Sequence, residues 1–97
     1  MTVTIYMMLC PICGEIRWVG KTTERLERRL SKHLRHSTGH YNPPKRAWLE
    51  HLRARGLKPI IIALDRVSAE DWIAAETYWI RYMKALGVKL YNRRNPC

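Results

Sequence analysis

Apolar positions recur along the chain with two different periods, and the switches between them mark the elements. Thr2 to Leu9 is apolar or β-branched almost throughout, which predicts a strand buried on both faces. Cys10-Pro11-Ile12-Cys13-Gly14 interrupts the run with proline and glycine, so the chain turns there. Glu15 to Val19 alternates polar and apolar and should pair back as the second arm of a hairpin. That arm ends at Gly20, whose missing side chain permits close approach of a ligand. The period then becomes helical, with Leu26, Leu30 and Leu34 at intervals of four. Thr22 or Thr23 is placed to cap this helix, with Glu24 and Glu27 in its first turn.

Ser37 to Pro44 reads as a loop, and Asn42-Pro43 as the entry to a second helix. Ala47, Trp48, Leu49 and Leu52 give that helix one apolar face, and Gly56 closes it. Pro59 opens a third strand whose body, Ile60 to Leu64, is expected to be buried. Ser68 and Asp71 start a last helix running to Leu86, and Val88 to Asn92 suggests a short terminal strand. The expectation is a single α+β domain, residues 1–97: a small, mostly antiparallel three-stranded sheet flanked by three helices in the order β-β-α-α-β-α.

Hydrophobic residues make up 46% of the 97, enough for one core, so wholesale disorder is excluded. The longest apolar run, Ile60 to Leu64, is far too short to span a bilayer. Met1 leads straight into strand-like sequence without a charged leader, so the expectation is a soluble, cytoplasmic protein. Charge changes the picture more. Lys and Arg number 18 against 8 Asp and Glu, a net of +10, which favours a polyanionic partner. The clustering of Arg25, Arg28, Lys32 and Arg35 on the first helix points to nucleic acid, and His40 in the following loop is placed to touch a DNA backbone.

The three cysteines are an odd number, which argues against a disulfide framework and fits a reducing compartment. Cys10-x-x-Cys13-Gly14 resembles a zinc knuckle, but a structural site needs four ligands. Only Cys97 and the histidines remain to supply the other two; otherwise these are two cysteines in a hairpin turn.

One acid stands out. Trp72, Ile73, Trp79 and Ile80 surround Glu76 at one helical turn, which puts a carboxylate on the stripe facing the core. Such a group must be protonated, ion-paired with an arginine of the first helix, or bound to a metal. A hard cation such as Mg²⁺ takes oxygen ligands while keeping most of its waters.

Tyr6 on a strand, Gly20-Lys21 at a strand end, and Arg29 and His33 one turn apart on one helix face complete the set. In this order the residues resemble the GIY-YIG nucleases over almost the whole chain. Ile5-Tyr6 stands for the end of the first signature, with Thr4 where glycine is usual. Trp18-Val19-Gly20 stands for the second, with tryptophan in place of its tyrosine. Lys21, Arg29, His33, Glu76 and Asn92 fall at the family's lysine, arginine, His-or-Tyr, metal-binding glutamate and asparagine.

The resemblance implies a metal-dependent DNA endonuclease, acting on duplex or branched DNA, with no membrane partner. A single Mg²⁺ (or Mn²⁺) on Glu76 would sit by the leaving 3′ oxygen, and Arg29 suits the non-bridging oxygens. Tyr6 is the candidate base, its high ordinary pKa lowered by a nearby cation for which Lys21 is the candidate. His33 would orient water or contact phosphate, and Asn92 would support the site by hydrogen bonds. A small free-standing nuclease of a phage or mobile element fits this description. A second reading is a basic nucleic-acid-binding module on the same fold with impaired catalysis, because the Trp18 indole donates a hydrogen bond and accepts no proton. A third is a zinc-stabilised interaction domain built on Cys10 and Cys13.

Overall fold

β1 (Thr2–Leu9) is the middle strand of a three-stranded antiparallel sheet, between β2 (Ile16–Thr22) and β3 (Ile60–Ser68). The computed structural model describes residues 1–35 and 43–92. The helices are α1 (Leu26–Arg35), α2 (Pro43–Ala54) and α3 (Trp72–Ala85), so the element order is β-β-α-α-β-α. None of the helices among the described residues is long and apolar enough to cross a membrane.

The period of two along β1 divides the core into two clusters. Tyr6 and Met8 face Trp48, Leu49 and Leu52 of α2 and the Leu26, Leu30 and Leu34 stripe of α1. Ile5 and Val19 face Ile80 and Met83 of α3, with Leu90 closing that side. The sheet is therefore sandwiched, which is why β1 is buried almost throughout, as its sequence predicts.

Several boundaries differ from the sequence reading. β2 does not end at Gly20 but continues through Lys21 to Thr22, paired with Thr4. Neither threonine caps α1: Arg25 supplies the first helical carbonyl, to the Arg29 N–H at 3.0 Å, and Thr22 Oγ1 accepts from Glu24 N–H in the link before it. β3 is not a buried strand. It is an edge, with Ile60 and Ile62 47% and 41% exposed, because only β1 pairs with it. Ser68 is the last residue of β3 rather than part of a helix cap, and its hydroxyl donates to Asp71 Oδ2 at 2.9 Å. Ile73, expected beside Glu76 on the core stripe, is exposed.

Residues 88 to 92 form no strand. They nevertheless cover the outer edge of β2, Tyr91 N–H donating to the Arg17 carbonyl at 2.7 Å. The Asn92 side chain then takes the place of a strand partner: its Oδ1 accepts from Val19 N–H at 3.0 Å and its Nδ2 donates to Val19 O at 2.6 Å. A side-chain amide thus satisfies edge groups that a ladder would otherwise pair.

Candidate active site

The register of the hairpin builds the site. Tyr6 lies directly opposite Gly20, and Met8 opposite Trp18, so these side chains share one face. A Cβ at position 20 would stand 2.6 Å from Tyr6 Oη and 2.9 Å from Trp18 Nε1. Glycine is required there because the tyrosine hydroxyl occupies the space of a side chain. The sequence reading reserved that space for a ligand, whereas the closest approach is made by Tyr6 itself.

α1 supplies two partners to the same hydroxyl. His33, buried, places Nε2 2.5 Å from Tyr6 Oη, and Arg29 donates its Nε–H to Oη at 3.2 Å. A guanidinium has no acceptor, so Oη accepts from Arg29; whether Oη or His33 Nε2 donates in the second bond is set by the imidazole tautomer. The Trp18 ring meets His33 edge-on at 5.6 Å, and its buried N–H leans toward Oη short of a well-formed hydrogen bond. Burial raises the Tyr6 pKa above its ordinary value, and Glu76 adds to this, while Arg29 and Trp18 pull the other way.

This revises the expected tuning of Tyr6. The cation beside its hydroxyl is Arg29, not Lys21, and the net shift is upward. Lys21 pairs with Ile5 on the opposite face of the sheet, and its ammonium lies 4.7 Å from the centre of the Trp72 ring. It is exposed at the mouth of the same cleft.

That cleft opens at the Gly20 end of β2 and draws walls from both faces of the sheet. Tyr6, Trp18 and Arg29 line one side; Lys21, Trp72, Glu76 and Ile80 line the other, and Asn92 closes the edge. Glu76 is half-buried, its stem on the stripe that includes Trp72, Ile80 and Met83. The stripe argument from sequence therefore located it, although it faces a cleft rather than the core.

The chain matches the GIY-YIG catalytic domain over residues 3–92. The chain belongs to the GIY-YIG family. No curated protein and no solved structure gives a significant match. The family is one of nucleases, so the domain implies a nucleic-acid substrate. Within the matched range, Ile5 of β1 is buried under α3 and Val19 of β2 is held at the edge by Asn92.

The GIY-YIG domain's basic face is more tied down than the sequence suggests. Glu24 binds Arg28 at 3.2 Å and also Lys32, and these charges hold its carboxyl below the usual range. Arg25 and Arg35 are exposed. His40 lies outside the described residues, as does Cys97. Cys10 is buried and Cys13 exposed, both as thiols. Burial opposes ionisation of Cys10, but the backbone N–H groups of Cys13 and Ile12 outweigh it and hold the pKa low. Among the described residues no three His, Cys, Asp or Glu side chains come together as a metal site, so the zinc knuckle has no second half there.

Sequence reasoning missed Lys45. It is buried on α2, with Nζ 4.3 Å from the centre of the Trp18 ring. Burial, and then the Arg29 charge, lower its pKa to about 8. The signal was available: Lys45 precedes Trp48, Leu49 and Leu52 by three, four and seven residues, so it stands on the apolar stripe, as Glu76 does on α3.

Proposed function

We propose that this GIY-YIG protein is a DNA endonuclease that hydrolyses phosphodiester bonds with the help of Mg²⁺ or Mn²⁺. One observation carries the reading: a tyrosine hydroxyl lining a cleft has an imidazole at 2.5 Å, an arginine at 3.2 Å and a carboxylate on the cleft's opposite wall. A module that only binds a polyanion has no use for that carboxylate.

Glu76 suits a hard divalent ion, since it offers an oxygen donor at an open cleft with room for the waters Mg²⁺ retains. When bound there, the ion supplies charge neutralisation near the leaving oxygen. Everything else is the work of the chain's own residues. Tyr6 is a neutral phenol around neutral pH, as any tyrosine is, and burial reinforces this, so it takes a proton from water only as it passes its own to His33 Nε2. Arg29 fixes the hydroxyl through Nε, and the rest of its fork suits the non-bridging oxygens of a phosphate. Lys21 adds positive charge at the cleft mouth, and Asn92 keeps the β2 edge in register.

The second reading, an impaired binding module, has Trp18 in its favour. Against it, His33 Nε2 lies 2.5 Å from Tyr6 Oη and in its Nδ1–H tautomer takes that proton, so the second signature position need not provide an acceptor. Supercoiled plasmid incubated with the protein in Mg²⁺, in Mn²⁺ and in chelator tests the proposal. Nicking or cutting is expected with either metal and is expected to vanish in chelator and in Glu76→Ala. Binding without cleavage under every metal condition establishes the module instead.

A further inference from the structure

We infer that Lys45 is a further substrate-contacting residue of this site, its ammonium held on the Trp18 indole face beside Arg29 to bind a phosphate of the DNA strand. The inference rests on the nuclease reading and adds a residue that neither signature contains.

Three features support it. The first is placement. α2 is anchored in the core by Trp48, Leu49 and Leu52, and Lys45 extends that stripe beyond the core to the Trp18 ring, one wall of the cleft. The ammonium position is therefore set by packing, not by a loosely tethered surface chain. The second is charge. Lys45 and Arg29 are brought close enough to repel, in surroundings where desolvation already disfavours the ammonium. Arg29 lines the cleft and Lys45 stands against Trp18, which also lines it, so two like charges flank one wall and favour an anion between them; a phosphodiester is the anion the family handles. The titration of the amine to about 8 agrees with this geometry without being needed for it. Among the described residues, His33 and Tyr6 are titratable groups reached across Trp18.

The third is the residue beneath it. Indole is the aromatic face that attracts a cation most strongly, ahead of phenol. The tryptophan at position 18, where the family's signature has tyrosine, and the lysine at 45 then form a matched pair. On this view Trp18 carries a phosphate-binding cation to the cleft instead of taking part in proton transfer.

The test measures binding to a short DNA duplex in chelator, so that cleavage plays no part, as a function of salt. Each phosphate contact contributes about 0.9 to the log–log salt slope on duplex DNA. Lys45→Met, which keeps an unbranched apolar stem, is expected to reduce the slope by about that amount, and Lys45→Arg is expected to restore it. An unchanged slope in Lys45→Met, or no restoration by Lys45→Arg, overturns the inference. A salt-independent affinity of the wild type fails the nuclease reading itself, which keeps the two outcomes apart. Wild-type protein provides a measurement that no folding defect can disturb: the Lys45 side-chain NMR resonance followed as duplex is added in chelator. A shift of that resonance is expected, and an unmoved resonance overturns the inference.

Discussion

Tyr6 Oη stands 2.5 Å from His33 Nε2 while accepting the Arg29 Nε–H at 3.2 Å, so of its two partners only the imidazole is able to take the phenol's proton. The three residues come from β1 and α1, and the four-residue spacing of Arg29 and His33 lets one helix face hold both ends of the arrangement. Transfer of that proton to His33 requires the tautomer in which Nε2 is unprotonated and Nδ1 carries the ring proton.

The relay leads to the first prediction. Tyr6→Phe keeps the ring in the core and removes only the hydroxyl, and is expected to lower the single-turnover cleavage rate by about 10²–10⁴. His33→Ala should fall in the same range, and the double variant should be little worse than either, since groups that act as a unit are not additive. DNA affinity in chelator should change little for Tyr6→Phe. Undiminished cutting by Tyr6→Phe would remove the phenol from the mechanism.

Gly20 supplies the second. Because a Cβ there would meet Tyr6 Oη at 2.6 Å, Gly20→Ala must push the hydroxyl away from His33 or shift β2. The far end of a tyrosine yields more readily than a paired strand, so the fold should persist with near-wild-type circular dichroism. Cleavage should fall by about 10²-fold or more, the usual cost of a displaced reacting group. An Ala variant as fast as wild type would show that the Tyr6 position is immaterial.

Glu76 gives the third. Glu76→Gln keeps the shape of the side chain and removes its charge, and should abolish metal-dependent cutting while leaving binding in chelator intact. Residual cutting at the wild-type rate, measured across a Mg²⁺ titration, would place the metal elsewhere.

Residue spacing and the family resemblance together pointed to much of this candidate site. Glu76 declared itself as an acid on an apolar stripe, and Tyr6, Arg29 and His33 through their order on a strand and a helix face. What sequence hid was set by tertiary contacts. The cation beside Tyr6 turned out to be Arg29 because Lys21, one residue past Gly20, points to the other side of the sheet. The exposure of Ile60 and Ile62 could not be read from their apolarity, because it depends on β3 having β1 as its neighbour on one side only. The terminal segment was taken for a strand because nothing in its composition reveals that the Asn92 amide would pair with Val19 in place of backbone. Lys45 gives a weaker signal than Glu76 because a lysine's long apolar stem lies on an apolar stripe without requiring its charge to be buried.

Lys45 also makes the fourth prediction, on stability, and its sign can be worked out. Its pKa is about 8 in the folded protein against an ordinary 10.5, so folding favours the neutral amine. Below pH 8 the lysine is charged in both states, and the folded state bears the full cost of holding that charge. Between pH 8 and 10.5 the folded protein sheds this proton while the unfolded chain keeps it, so stability attributable to Lys45 rises with pH. Above 10.5 both forms are neutral and the cost has gone. Lys45→Met should therefore be more stable than wild type at pH 7, by about 1–2 kcal/mol once solvent screening is allowed for. For a domain of this size that is a rise of about 4–16 °C in melting temperature. The gap should narrow through pH 9 and close near pH 10.5, which thermal melts of the two proteins across that range would reveal. A gap that stays constant with pH would mean that the substitution acts through packing, and that the lysine charge costs the fold nothing.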